Sequence, residues 1–240
     1  GLTQLGRIEY ELSGGRINTD FIDNSAGVDC SDHEVNIKIF LNEYIEKKRL
    51  TFEQRNALLV SMTDDVAEMV LKHNADQNLA LSLEVEALPE QIYLYEKFIE
   101  SAVQQGVLDP VVEYLPTKQE IAERLAQKRS LTRPELSVLL SYSKIILQDH
   151  LLQTDLVNSV DFKDFLDVSF PQIMLDQMGQ QIWKHPLRKE IIATHLSNAF
   201  VNELGITFLT ELSEACALSI PDIISAYMLV RKVFNVDAII

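Results

Sequence analysis

The feature that most restricts the fold of this chain is a series of helix-start signals running from Thr51 to Pro221. Thr51 is followed by Glu53 and Gln54, Thr63 by Asp64 and Asp65, and Pro89 by Glu90 and Gln91. Thr117 stands three residues before Glu120, the spacing at which hydroxyl and carboxylate each satisfy the other residue's backbone N–H. In Thr132-Arg133-Pro134-Glu135 the proline falls in a first turn, where its missing N–H is harmless. Pro186, Gly205 and Pro221 divide the last third into short segments. Such punctuation predicts a mainly α chain of roughly nine or ten helices joined by loops of ordinary length. Apolar residues make up 47% of the 240, enough for those helices to bury a core.

The N-terminal end differs. Ile8, Tyr10 and Leu12 alternate with polar neighbours, and after Ser13-Gly14-Gly15 the alternation resumes at Ile17, Thr19 and Phe21. Two period-two runs around a glycine turn predict a short β-hairpin. Past Gly27 the period changes, and Val35, Ile39, Leu41 and Ile45 suit a helix from about Ser31 to Lys48, with Ser31 or Asp32 as N-cap. A boundary is expected near residue 50, with segment 1–50 mixed and segment 51–240 entirely helical. The chain opens on GLTQLG and closes on VDAII within an apolar pattern, so it is expected to be a piece of a longer polypeptide.

A formal charge of −15 argues against nucleic acid and against an anionic membrane surface, both of which need clustered Lys and Arg. Cys30 and Cys216 form no C-x-x-C spacing, which excludes a disulfide framework and suits a reducing, cytoplasmic setting. No apolar run approaches the roughly 18 residues of a membrane span, and no secretion signal is present.

The stretch Ile17–Lys38, INTDFIDNSAGVDCSDHEVNIK, is the place where chemistry is expected. A loop of Asn24-Ser25-Ala26-Gly27 entering a helix would present free backbone N–H groups beside a partial positive charge, where carboxylates and phosphates are favoured. Gly27 allows a flat ligand to approach, Ser31 adds a hydroxyl, and Asn24 adds an amide that donates and accepts. The plainer reading is a turn in which Asn24 and Ser31 cap backbone groups. Asp29, Asp32, His33 and Glu34 lie close together, but only residues three or four apart share a helix face, pairing Asp29 with Asp32 or His33. No H-E-x-x-H spacing occurs, and no metal site is expected. His73, His150, His185 and His195 are expected to be surface or packed residues.

N-S-A-G-V-D-C-S-D-H-E-V resembles the glutamate dehydrogenase signature N-A-G-G-V-x-x-S-x-x-E, with Asn24, Gly27, Val28, Ser31 and Glu34 in register. Ser25 and Ala26 depart from it. The longer stretches GLTQLGRIEYELSGGRINTDFIDNSAGVDCSDHEVNIK, LTRPELSVLLSYSKI and LRKEIIATHLSNAFVNELGITF resemble the large NAD-specific bacterial glutamate dehydrogenases. The resemblance implies that segment 1–50 ends a dehydrogenase catalytic domain and that 51–240 is a C-terminal helical domain. It assigns Ser31 and Val28 to the glutamate pocket, and Asn24 and Gly27 to the nicotinamide side of NAD. It implies L-glutamate and 2-oxoglutarate, the remainder of the same polypeptide and further copies of the chain as partners.

No G-x-G-x-x-G and no glycine-flanked catalytic lysine occur here, so no catalytic residue is assigned and the segment alone is expected to be inactive. A reading of a different class is a helical scaffold or interaction module without chemistry of its own.

Overall fold

Three capping boxes set the frame. Thr51, Thr117 and Thr132 each accept from the N3 backbone N–H, while Gln54, Glu120 and Glu135 return a bond to the cap. The computed structural model describes residues 1–236, so Asp237 to Ile240 of the closing VDAII stretch lie outside the described residues. Among the described residues there are twelve α-helices and no strand. They are α1 (Gln4–Leu12), α2 (Asp20–Asp23), α3 (Ser25–Glu46), α4 (Phe52–Ser61), α5 (Thr63–Gln104), α6 (Lys118–Ala126), α7 (Arg133–Leu152), α8 (Lys163–Asp167), α9 (Gln172–Met178), α10 (Arg188–Leu204), α11 (Phe208–Cys216) and α12 (Ile220–Phe234). Three 3₁₀ turns, Leu156–Asn158, Val160–Phe162 and Gly179–Lys184, complete the set.

The mainly α expectation holds, and the β-hairpin does not. Its first arm is α1, capped by the Thr3 hydroxyl on the Gly6 N–H. Leu5, Ile8 and Leu12 are spaced three and four apart, so the alternation of Ile8, Tyr10 and Leu12 fits a helix equally well. Burial separates the two patterns, because Ile8 is buried while Tyr10 is exposed. The glycine turn is the end of that helix, with Gly14 at φ +95°, where a side chain would be strained. The second arm contains no strand and gives way to α2.

Two helix boundaries also differ from expectation. Thr63 and Pro89 both lie in α5, a single 42-residue helix about 63 Å long. Pro89 interrupts one backbone hydrogen bond without ending the helix, because Leu81, Leu88, Tyr95 and Phe98 hold both halves in one core. At the other boundary, α3 begins at Ser25, six residues before Ser31.

The core centres on α7, which packs on α10 and α5, while α3 lies along α5 and α1 along α7. Leu136, Leu139, Leu140 and Leu147 of α7, with Ile192, Leu196 and Phe200 of α10, have no exposed surface. One continuous apolar cluster extends from Ile22 to Met228. Polar groups fasten the N-terminal end to it. Arg7, buried, donates to Asp20 Oδ1 at 2.7 Å, Asp23 Oδ2 at 2.8 Å and the Asn18 carbonyl at 2.9 Å. Arg133 donates from its backbone to Glu11 and from its side chain to Asn18, Ser82 and the Asn78 carbonyl, joining α1, α5 and α7.

Candidate functional site

Helix α3 presents two opposite faces. Asn24, Gly27, Val28 and Ser31 follow the spacing of a single helical stripe, and all four are exposed, Val28 at 62%. Their hydrogen bonds are local. The Asn24 amide donates to Asp20 Oδ1 at 3.1 Å, the Gly27 N–H to the Asn24 carbonyl at 3.2 Å, and the Ser31 hydroxyl to the Gly27 carbonyl at 3.2 Å. A Cβ on Gly27 would meet nothing within 4 Å. Because the helix starts at Ser25, Ser31 is not an N-cap, and the expected mouth of free N–H groups lies one to two turns earlier than the sequence suggests.

The inward face carries Ser25, Asp29, His33 and Ile37, each four residues from the next. Asn74 of α5 donates to Ser25 Oγ at 2.7 Å and to the Ile22 carbonyl at 3.0 Å, fixing the register of α3 on α5. One turn along, His73 Nδ1 lies 2.8 Å from Asp29 Oδ2, and His33 Nε2 lies 3.7 Å from Asp29 Oδ1. The imidazoles of His33 and His73 stack with centroids 5.4 Å apart, and His195 of α10 stands 5.5 Å from His73.

The protonation pattern follows from the partners. His33 Nδ1 is 3.0 Å from the Ser169 carbonyl, which can only accept, so Nδ1 carries the proton. Nε2 of this buried ring then offers a lone pair, and it has no hydrogen-bond partner. Burial pushes the His33 pKa down, and the Asp29 carboxylate opposes that shift. His195 keeps some surface, yet burial, followed by the His73 and His33 rings, pushes its pKa down to about 3. His185 contrasts with His33. Its Nε2–H donates to the Asn36 carbonyl and its Nδ1 accepts from the Leu187 N–H, both at 3.0 Å, so it is a fully satisfied structural pin.

The sequence pairs Asp29 with His33 on one face but contains no sign of His73, forty residues further on and brought there by the packing of α3 on α5. Cys30 and Cys216 are both exposed and unpaired. Two surface depressions, one lined by Tyr93, Lys97, Thr207 and Glu211 and one by Glu11, Ser13, Arg129 and Thr132, contain none of the expected site residues.

The outward stripe of α3, in register with the glutamate dehydrogenase signature, thus lies on a helix braced by an all-α region. Residues 1–84 match the family described as bacterial NAD-glutamate dehydrogenase, catalytic domain, and residues 128–240 match glutamate dehydrogenase, C-terminal. The two matches together show the chain to be similar to the C-terminal portion of the large bacterial NAD-specific glutamate dehydrogenases. It is 45% identical to the NAD-specific glutamate dehydrogenase of Pseudomonas aeruginosa over 98% of its own length and 14% of that protein's. The Halomonas elongata enzyme of the same name is 41% identical, and the Mycobacterium tuberculosis enzyme 38%, over 98% and 100% of this chain. The chain spans about one seventh of the length of these relatives. No solved structure matches it significantly.

Proposed function

We propose that this chain is a working part of an NAD-dependent glutamate dehydrogenase, which deaminates L-glutamate oxidatively to 2-oxoglutarate and ammonia. In this reading the outward stripe of α3 forms one wall of the catalytic cleft. Ser31 and Val28 contact the substrate, and Asn24 and Gly27 lie on the nicotinamide side. The dinucleotide phosphate site and the catalytic lysine come from the remainder of the polypeptide. Segment 1–50 ends the catalytic domain, and 51–240 is the helical domain that braces it. One observation carries the reading: the four signature residues occupy one exposed stripe with only local hydrogen bonds, while the reverse face of the same helix is packed.

Ser31→Ala in the intact polypeptide tests it. The Ser31 hydroxyl spends its hydrogen bond on a carbonyl of its own helix and can turn from it to a substrate carboxylate at little cost. Losing a hydrogen bond to a charged group costs about 1.5–3 kcal/mol, so KM for glutamate should rise roughly ten- to a hundredfold. Unchanged kinetics would remove Ser31 from the cleft, and turnover by the segment alone would overturn the division of labour.

A helical interaction module is the second reading. It is favoured by Leu229, Val233 and Phe234 of α12, each more than 60% exposed on a helix whose other face buries Ile223, Ile224, Tyr227 and Met228. It predicts that the Ser31 variant is silent.

A further inference from the structure

The inward face of α3 carries a cluster of donor groups that the outward stripe does not use. The Asp29 carboxylate, His33 and His73 each offer a donor atom, and the three atoms lie within 4.8 Å of one another. Two imidazole nitrogens and one carboxylate oxygen are the donor set of borderline divalent cations, whereas calcium and magnesium prefer oxygen alone. A tetrahedral ion with bonds of 2.0–2.1 Å holds its donors about 3.3 Å apart. The observed separations, 2.8 Å for Asp29–His73 and 3.7 Å for Asp29–His33, fall on either side of that value. The two contacts use different oxygens of the one carboxylate, and all the donor atoms lie within 4.8 Å of one another, so side-chain rotations without backbone movement would gather them on one ion.

The orientation of His33 is the independent sign. Its Nδ1–H is held by a backbone carbonyl, the arrangement that fixes ligand imidazoles with the other nitrogen facing the metal. Its Nε2 is a bare lone pair on a ring only 4% exposed, turned toward the Asp29 carboxylate. Hydrogen bonding within the cluster satisfies His73 through Asp29 but leaves this atom without a partner. A cation on Nε2 would provide one. Binding through Nδ1 would leave the ring proton of His73 on Nε2. Asp29 and His73 are about a quarter exposed, which gives an ion an entry path and leaves the fourth position to water.

We propose that Asp29, His33 and His73 bind one zinc-class divalent cation, which clamps α3 to α5 directly behind the outward stripe. The test uses the intact polypeptide, stripped with a chelator and titrated with Zn²⁺ in competition with a chromophoric chelator. Wild type should take up one equivalent that His73→Gln and Asp29→Asn lose or bind at least tenfold more weakly. Glu68→Gln, an exposed carboxylate on α5, should retain it. Zinc should raise the melting temperature of wild type and leave that of His73→Gln unmoved. Circular dichroism checks that the variants are folded, and the isosteric Asp29→Asn decides the matter if His73→Gln is not. Uptake of no zinc by wild type, or of the same number of equivalents at the same affinity by wild type and both ligand variants, would overturn the proposal. So would loss of the equivalent in Glu68→Gln.

Discussion

Lys144 of α7 provides the sharpest test of how this core is built. Its Nζ has no exposed surface and no hydrogen-bond partner, although part of its stem reaches the surface. Burial pushes its pKa down from 10.5 to about 7, and only the Asp76 carboxylate opposes the shift. In the unfolded chain the lysine keeps its proton up to pH 10.5. Between about pH 7 and 10.5 the unfolded state therefore binds more protons than the folded one, and stability rises with pH. At about 1.4 kcal/mol per pH unit the full window caps the cost of burial near 5 kcal/mol at neutral pH and below. Relaxation and water penetration reduce that ceiling, leaving about 2–4 kcal/mol. Lys144→Met keeps the length and apolar stem without the ammonium, so it should stabilise the chain by that amount at pH 7, on the order of 10 °C in Tm. Urea denaturation at pH 6, 7, 8.5 and 10 measures it. The advantage of the variant should shrink steadily above pH 7 and nearly vanish by pH 10. An advantage that is constant across this range, or a variant less stable at pH 7, would refute the account of Lys144 as a desolvated cation.

Two buried carboxylates should behave in the opposite way from Lys144, because both are hydrogen-bonded. Glu135 has no exposed surface and accepts from the Thr132 N–H at 2.7 Å, the Thr132 hydroxyl and Arg124, which it ties to α7 from α6. Glu135→Gln should cost about 3–5 kcal/mol in chemical denaturation, as breaking a buried pair does, and a loss below about 1 kcal/mol would remove that tie from the fold. Glu84 of α5 accepts from the Ile206 N–H at 2.8 Å and from the Tyr95 hydroxyl, so it caps the turn between α10 and α11. Burial raises its pKa, and those two donors pull it back. Glu84→Ala should cost about 2–5 kcal/mol by leaving both donors unpaired. Gly205→Ala should also destabilise, since Gly205 has φ +99° and a Cβ there would come 2.9 Å from Glu84 Oε1. With the carboxylate gone the close approach disappears, so the double variant should lose less than the sum of the singles.

What the sequence disclosed and what it concealed divide along the range of the interaction. The Thr117 box is made within four residues and appears where the spacing puts it. Pro134 likewise sits in a first turn, and Pro221 stands at the start of α12, where it divides that helix from α11. The hairpin failed because Ile8 and Leu12 fit two periods at once, and only the tertiary packing of α1, which lies along α7 and buries Ile8, decides between them. Pro89 was misleading in the same way: its local signal is a helix start, and the core on both sides overrides it.

The same division runs through α3. Its outward stripe was legible as residue types in a motif, because Asn24, Gly27, Val28 and Ser31 are local to one another. The expected loop is instead a helix from Ser25, which with its cap Asn24 sets those four along one stripe. Its inward stripe was half legible: Asp29 and His33 share a face by spacing alone, but His73 enters through Asn74, which holds α5 against Ser25 and Ile22. Removing that clamp is therefore a structural perturbation that should reach both faces. Whatever pins His73 to Asp29 also sets the pitch at which Ser31 and Val28 are presented.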